Sequence, residues 1–414
     1  MKYNKGMELE KLEKLERIVE SEKLLNEIKD VDVLLEQILS EARTITNADA
    51  GSIYVVEGDE LVIKYAQNET QQKKLLPGEK LPYLSNQHYK ITEQSIAGYC
   101  AKHKRLVNIE DCYNIPAGLP YSFFRKNDEE TGYKSKSILS IPLKVPSGKL
   151  RGVLQLINAQ DAKGNIIPFD SDAELFATHF ASSAAQTLDR SYILQNYLKR
   201  MTMMAQLRDP RETFEHVERV SAFSLEIYDR WASDHNIDEA EKKKFRDNLK
   251  IAAKCHDFGK VGIEDKILKK AGLLDHDERE IMKGHTCIGA KLFYDSENDL
   301  DVMCFHVALY HHVWWNGGER SYPGRRAFEN YEQGDLVSCE DTLKGNEIPL
   351  AARIVAVADV FDALSHKRVY KSAWNIEDAI DEIKRCSGTQ FDPEVVEAFM
   401  EMKERITLIC KSLG

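Results

Sequence analysis

The sequence predicts two differently built halves: an α+β N-terminal domain, with an antiparallel sheet and helices, joined by a long helix to an all-α C-terminal domain. Three observations predict it. Period-2 alternation marks two hairpins within residues 31–190. One helical pattern runs over 171–208 without a Pro or Gly, and beyond Pro210 apolar residues keep helical spacing while histidines become dense. Eight of the twelve histidines lie between 216 and 312.

A chain of 414 residues has room for two or three cores. Lys and Arg number 57 and Asp and Glu 68, a net charge of −11, which argues against a general nucleic-acid partner; a phosphate ligand would need a local basic patch. The eight cysteines form no CxxC pair and read as thiols of a reducing compartment. No apolar run is long enough for a membrane span, and the charged N-terminus has no signal-peptide core. The expectation is a soluble, cytoplasmic protein with no membrane partner.

Residues 1–30 form an N-terminal helix in which Leu9, Leu12, Leu15, Val19 and Leu25 recur at three-to-four spacing. That stripe fits a short coiled-coil seam or a helix packed on its own domain. Within 31–190, VDVLLEQILSEARTIT is an amphipathic helix and SIYVVEGDELVIKYA a hairpin around Gly58-Asp59. SIAGYCAKH is a helix before the strand RLVNI, and SILSIPLKVPSGKLRGVLQLINA a second hairpin turning at Pro146-Ser147-Gly148. The helix over 171–208, carrying Leu175, Phe176, Phe180, Ala184, Leu188 and Leu198, is a stiff connector of about 1.5 Å per residue.

The chemistry centres on LKIAAKCHDFGK, residues 249–260. Read as a helix, Leu249, Ala253, His256 and Asp257 share a face, and a carboxylate on an apolar face must be paired or metal-bound. The alternative is a His-Asp cap at a helix end closed by Gly259. Glu212 and His216 lie one turn apart, His285 sits in EREIMKGHTCIGAKLF, His311 and His312 are adjacent, and Asp359 interrupts the apolar ARIVAVADVFDAL. A single such histidine reads as a core residue, whereas this many ligand-type groups would each need a separate partner. Imidazoles and carboxylates without thiolates favour iron, manganese or another six-coordinate ion over structural zinc. The groups are too many for one ion, and Asp257 can bridge two in a site that activates water and clamps a phosphodiester.

Residues 31–190 resemble a GAF domain through the order of elements, GYCAKHKRLVNIEDCY and LINAQDAKGNIIPFDSDAELF. The Asn-Lys, Phe and Asp-Glu pattern of cyclic-nucleotide-binding members is replaced by Asn158-Ala159, Phe169, Asp172 and Glu174, which argues against that ligand. Small-molecule sensing and ligand-free dimerisation both stay open. Residues 209–414 resemble an HD-GYP domain. The matches are HVERV at 216, HDFGKVGI at 256, His285 with Ile288-Gly289, HHVWWNG at 311, IPLAARIVAVADVFDAL at 348, RVYKSAW at 368 and SGTQFDPEVVEAF at 387.

The resemblance implies a phosphodiesterase that opens a cyclic dinucleotide, chiefly cyclic di-GMP, to the linear dinucleotide, with GMP as a further product left open. It implies two or three divalent ions, iron ahead of manganese, held by Glu212, His216, His256, Asp257, His285, His311, His312 and Asp359. Glu212 matches a third-metal ligand. Asp257 and Lys260 take the catalytic positions, with Lys260 at the scissile phosphate. Arg368 and Lys371 match residues that hold the other phosphate. Tyr322, with Trp314 and Trp315, offers aromatic faces to a base or seals the core. Lys266, Lys269, Lys270, Arg320, Arg325 and Arg326 form a basic rim or plain solvated charge. With the helices at 1–30 and 171–208, the GAF resemblance implies a homodimer.

Two departures carry expectations. Ser321 replaces the first glycine of the signature Gly-Tyr-Pro and would strain the loop if that position requires positive φ. Residues 325–344 read as an exposed polar insertion able to act as a lid. A non-catalytic cyclic-dinucleotide-binding scaffold and an iron-centred redox sensor are the competing readings.

Overall fold

The computed structural model describes residues 2–28, 30–74, 87–209, 213–331, 336–366 and 374–412, with side chains from Lys14 onward except Glu27 and Asn127. The chain divides into two compact units, Met1–Gln195 and Asn196–Gly414.

In the first unit the order is α1 (Lys2–Glu27), α2 (Val31–Thr46), β1 (Ala48–Glu57), β2 (Glu60–Asn68), α3 (Glu69–Gln72), β3 (His88–Lys90), α4 (Ile96–His103), β4 (Val107–Ile109), α5 (Lys126–Thr131), β5 (Ile138–Lys144), β6 (Leu150–Gln160) and β7 (Ile166–Ile167). Helix α6 (Ser171–Arg208) follows and runs past the division between units. Asp30 starts α2 by accepting from the backbone N–H groups of Asp32 and Val33, and Asn47 ends it in the left-handed conformation. The strands form an antiparallel sheet in the order β3-β2-β1-β6-β5-β4, with β7 on β6. Both hairpins turn where the sequence places them, at Gly58 (φ 61°) and Gly148 (φ 83°).

One core packs α1, α2 and α6 against the sheet through Leu34, Ile38, Ile53, Leu154 and Phe180. A second gathers α4, Val107 and Ile138 around Leu61 and Val153. Helix α1 buries Ile18 and Leu25 but leaves Leu15 and Val19 exposed, so it packs on its own unit by a face rotated from the expected stripe. The side chains of Leu9 and Leu12 lie outside the described residues. Asn158 adopts φ 57° and is buried; its carboxamide serves the Lys136 N–H, the Lys134 carbonyl and the Tyr133 hydroxyl. Its polarity is therefore spent on two backbone groups and the Tyr133 hydroxyl.

The second unit is helical: α7 (Phe214–Asp234), α8 (Glu239–Ala252), α9 (Asp265–Leu268), α10 (His276–Lys283), α11 (His285–Lys291), α12 (Asp299–Tyr310), α13 (Ala327–Asn330), α14 (Leu350–Ser365), α15 (Ile376–Arg385), α16 (Pro393–Glu401) and α17 (Lys403–Ser412). Helix α7 packs on α8, α14 and α16, while α12 packs on α8, α11 and α14. Phe223, Phe361 and Phe399 stack edge to face between α7, α14 and α16. No helix of the described residues is long and apolar enough to cross a membrane.

The insertion differs from its expected exposed state. Ala327 and Val337 are buried with Cys287, Ala290 and Leu309, and Leu343 packs with Val313 and Ile348. Apolar residues spaced along a polar stretch anchor it to α11 and α12, which leaves less of it free than composition implied.

Candidate metal centre

The His256-Asp257 pair does not ride on a continuous α-helix. Helix α8 ends at Ala252, a 3-10 turn covers Ala253–Cys255, and a second covers Phe258–Gly262, with Asp257 at φ −104° between them. The chain after the break is sterically constrained. A Cβ on Gly259 would stand 1.8 Å from the His285 carbonyl oxygen and 2.4 Å from the Gly289 nitrogen, so only a glycine lets this chain press against α11. Leu249, Ala253, His256 and Asp257 are nevertheless all buried.

Around this turn the packing assembles side chains from distant segments. His216 stands in the first turn of α7, whose N-cap Thr213 hydroxyl accepts from the His216 N–H. His285 opens α11, His311 and His312 follow the end of α12, and Asp359 lies on α14. His285 Nε2 is 3.2 Å and His311 Nε2 3.7 Å from Asp257 Oδ1. His256 Nε2 is 3.2 Å from Asp257 Oδ2. Asp359 Oδ1 lies 3.7 Å from His216 Nε2 and 3.9 Å from His256 Nε2. Asp257, His285, His311 and His312 form one group of ligand atoms, and His216, His256 and Asp257 another. Asp257 is common to both.

The tautomers follow from the other ring nitrogens. His256, His285 and His311 place Nδ1 at 2.7–2.9 Å from the carbonyls of Ala253, Met282 and Val307. A carbonyl only accepts, so Nδ1 carries the proton and Nε2 presents its lone pair inward. Among the described residues, the buried Nε2 atoms of His285 and His311 and Oδ1 of Asp257 have no hydrogen-bond partner. Inward lone pairs around a carboxylate repel one another unless a cation lies among them, so the residues present fit a metal centre.

Burial favours protonation of Asp257, but the charge of the adjacent Lys260 opposes it, and the carboxyl is held well below its usual range. Burial lowers His311, and burial with the neighbouring His311 and His285 lowers His312 well below the ordinary imidazole value. Both shifts favour the neutral, ligating form. Lys260 Nζ bonds Asp257 Oδ2. Tyr322 stands at the His312 edge, with ring centroids 4.9 Å apart, and burial keeps its phenol protonated.

Glu212, Arg368 and Lys371 lie outside the described residues. Ser321 shows no strain, because it is absent from the positive-φ residues and its Oγ accepts from the Trp314 N–H at 3.0 Å. The basic rim is largely compensated: Lys266 pairs with Glu264, Lys269 with Asp265, Lys270 with Glu278, and Arg325 with Glu347. Trp315 lies under the Arg353 guanidinium, 5.6 Å from its ring centroid, and so contributes to packing.

The sequence reading passed over Asp362 and Arg219. Asp362 is a second carboxylate on the apolar α14, one turn beyond Asp359, and that spacing was the available signal. Burial opposes its ionisation, yet hydrogen bonds from His216, His366 and Arg219 hold its carboxyl far below the usual range.

Fold and site together define a two-domain protein in which an α+β sheet domain precedes a helical domain with a buried histidine-carboxylate centre. The chain carries a GAF domain, matched over residues 30–188, and an HD domain, matched over residues 213–364. It is 38% identical over 210 residues to a cyclic di-GMP phosphodiesterase of Thermotoga maritima, covering 51% of this chain and 50% of that protein. A 3'3'-cGAMP-specific phosphodiesterase 2 of Vibrio cholerae is 36% identical over 203 residues, covering 49% and 34%. A cyclic di-GMP phosphodiesterase of Vibrio cholerae is 32% identical over 263 residues, covering 60% and 49%. The chain thus spans between a third and a half of the length of these relatives.

Proposed function

We propose that this chain is a metal-dependent phosphodiesterase that hydrolyses a cyclic dinucleotide, cyclic di-GMP first, to the linear dinucleotide, under control of its GAF domain. One observation carries the reading: Asp257 is shared by two groups of inward-facing ligand atoms. The similarity to phosphodiesterases of cyclic di-GMP and 3'3'-cGAMP supports the substrate class.

His216, His256, Asp257 and Asp359 hold one divalent ion, and Asp257, His285, His311 and His312 the other. Glu212 is assigned to a third. Iron is proposed first and manganese second, from the mixed nitrogen and oxygen donors. Such ions, when bound, polarise phosphate oxygens and make water a nucleophile at neutral pH. Lys260 sets a positive charge beside Asp257, where a phosphate would meet it. Arg368 and Lys371 are assigned to the distal phosphate and Tyr322 to a base. Residues 1–30 and 31–190 are assigned to sensing and dimerisation, 171–208 to the connection and 209–414 to catalysis, in a reducing, cytoplasmic compartment. The GAF ligand is left as a small molecule or none.

The test is turnover of cyclic di-GMP and of mixed cyclic GMP-AMP by full-length protein loaded with Fe(II) or Mn(II) under reducing conditions. Release of the linear dinucleotide is expected; metal-loaded protein that cleaves neither substrate defeats the reading. Glu212→Ala should lower the metal content by one ion and keep two, and an unchanged content would remove Glu212 from the metal centre.

A homodimer is the expected assembly. Leu15 and Val19 on α1 are exposed one turn apart, as are Tyr197, Met201 and Met204 on α6. Such stripes suit a helical seam between two copies. Light scattering at micromolar concentration should give twice the 47.3 kDa chain mass; a monomer there would rule the dimer out.

A further inference from the structure

A histidine ligand is tuned by what holds its other nitrogen. His256, His285 and His311 give the Nδ1 proton to main-chain carbonyls, which are neutral acceptors. His216 instead sets Nδ1 2.7 Å from Asp362 Oδ2. Asp362 is only 2% exposed. Its carboxylate is gripped by Arg219, with Nε 2.6 Å from Oδ1 and a terminal nitrogen 3.1 Å from Oδ2, while His366 Nδ1 lies 3.1 Å from Oδ1. His216 and Arg219 are neighbours along α7, as Asp359 and Asp362 are along α14. The two helices therefore meet through a charged cluster that borders the centre on one side.

We propose that Asp362 is a positioning residue for one of the two ion positions, acting through His216. It fixes the ring with Nδ1 protonated and Nε2 directed at Asp359 and the shared Asp257. As a carboxylate, it also makes His216 a stronger donor than a carbonyl-bonded imidazole. Arg219 bonds both oxygens of Asp362 and so holds the carboxylate in place behind His216. The ion on the His216–His256 side then depends on Asp362, and the ion on the His285–His311–His312 side does not. This rests on reading the histidine-carboxylate cluster as a metal centre.

The bland account is an ion pair that stitches α7 to α14 without regard to metal. Both accounts place His216 and Arg219 on Asp362, but they differ in what metal binding should do when Asp362 loses its charge. Loss of such an outer partner weakens metal binding by about 10- to 100-fold.

The experiment titrates metal-free, full-length protein with Co(II) against a chromophoric chelator, and follows the cobalt d–d spectrum and the melting of the metal-free form. The parent should bind at least two equivalents. Asp362→Asn, which still offers an oxygen to Nδ1 but no charge, should weaken one equivalent by about 10- to 100-fold and leave the other as in the parent. If the lone substitution fails to fold because Arg219 is left buried opposite no charge, Asp362→Asn with Arg219→Gln removes both charges together. In a His216→Gln background Asp362→Asn should add no further loss, since the route through His216 is already gone. Parental affinity for every equivalent, equal weakening of all of them, or an undiminished effect in the His216→Gln background would each overturn the proposal. A parent that takes up no divalent ion would overturn the metal reading itself, a result distinct from those three.

Discussion

Asp257→Ala should leave a folded protein that turns over cyclic di-GMP at least about a thousandfold more slowly than the parent, a loss of about 4 kcal/mol of transition-state stabilisation. The size follows from position. Oδ1 faces His285 and His311, and Oδ2 faces His256 and Lys260, so one deletion strips a ligand from both groups. Methyl in place of carboxylate also removes the partner that holds Lys260. The fold should persist because burial lowers His311 and His312 and so favours their neutral forms, and Lys260 can turn toward solvent. Neutralising Arg368 or Lys371 should instead raise KM, since the distal phosphate gains little charge during cleavage. The measurement is steady-state release of the linear dinucleotide with metal content determined for each variant. Near-parental kcat in Asp257→Ala with its metals in place would show that cleavage occurs elsewhere.

Gly259→Ala should be among the most damaging single-atom additions in the second unit. The new Cβ would lie 1.8 Å and 2.4 Å from main-chain atoms of His285 and Gly289, which no change of rotamer can move. Relief requires α11 to slide away, and His285, its first residue, would carry its Nε2 off Asp257. Overpacking costs about 1–3 kcal/mol where side chains can adjust, so about 3 kcal/mol or more is expected against backbone. For a unit of this size that lowers Tm by about 6–12 °C. Gly262→Ala is the comparison: its Cβ meets only side-chain carbons of Ile288, at 2.9 Å, and should cost less. Thermal unfolding of metal-free protein decides the matter, and a Gly259→Ala melt matching the parent would show that the turn is free to move.

Much of the fold was legible because local rules set it. Asp30 before an amphipathic run, Gly58-Asp59 between alternating strands and the Pro146-Ser147-Gly148 turn act within a few residues, so α2 and both hairpins appear where those residues place them. The site residues were visible as types, since His and Asp on apolar helices break the pattern that burial otherwise imposes. Where reading failed, distant segments decided. The stretch around His256 scans as one helix, but α8 ends at Ala252, and beyond it the Gly259 backbone packs directly on α11. Ser321 carries no strain because the packed loop does not hold it at positive φ, a backbone angle that the residue type alone does not reveal.

The sequence by itself determined which donors this protein owns: imidazoles and carboxylates on helices that must be buried, and a sheet domain ahead of them. Only the tertiary structure decided which nitrogen of each ring faces inward, that Asp257 stands between two groups, and that Asp362 backs His216. The physical reason is that hydropathy and spacing record whether a side chain is buried, which is a property of its own segment. A tautomer or a shared ligand depends on an atom of another segment a few ångströms away, and that atom is set by how helices such as α7 and α14 pack.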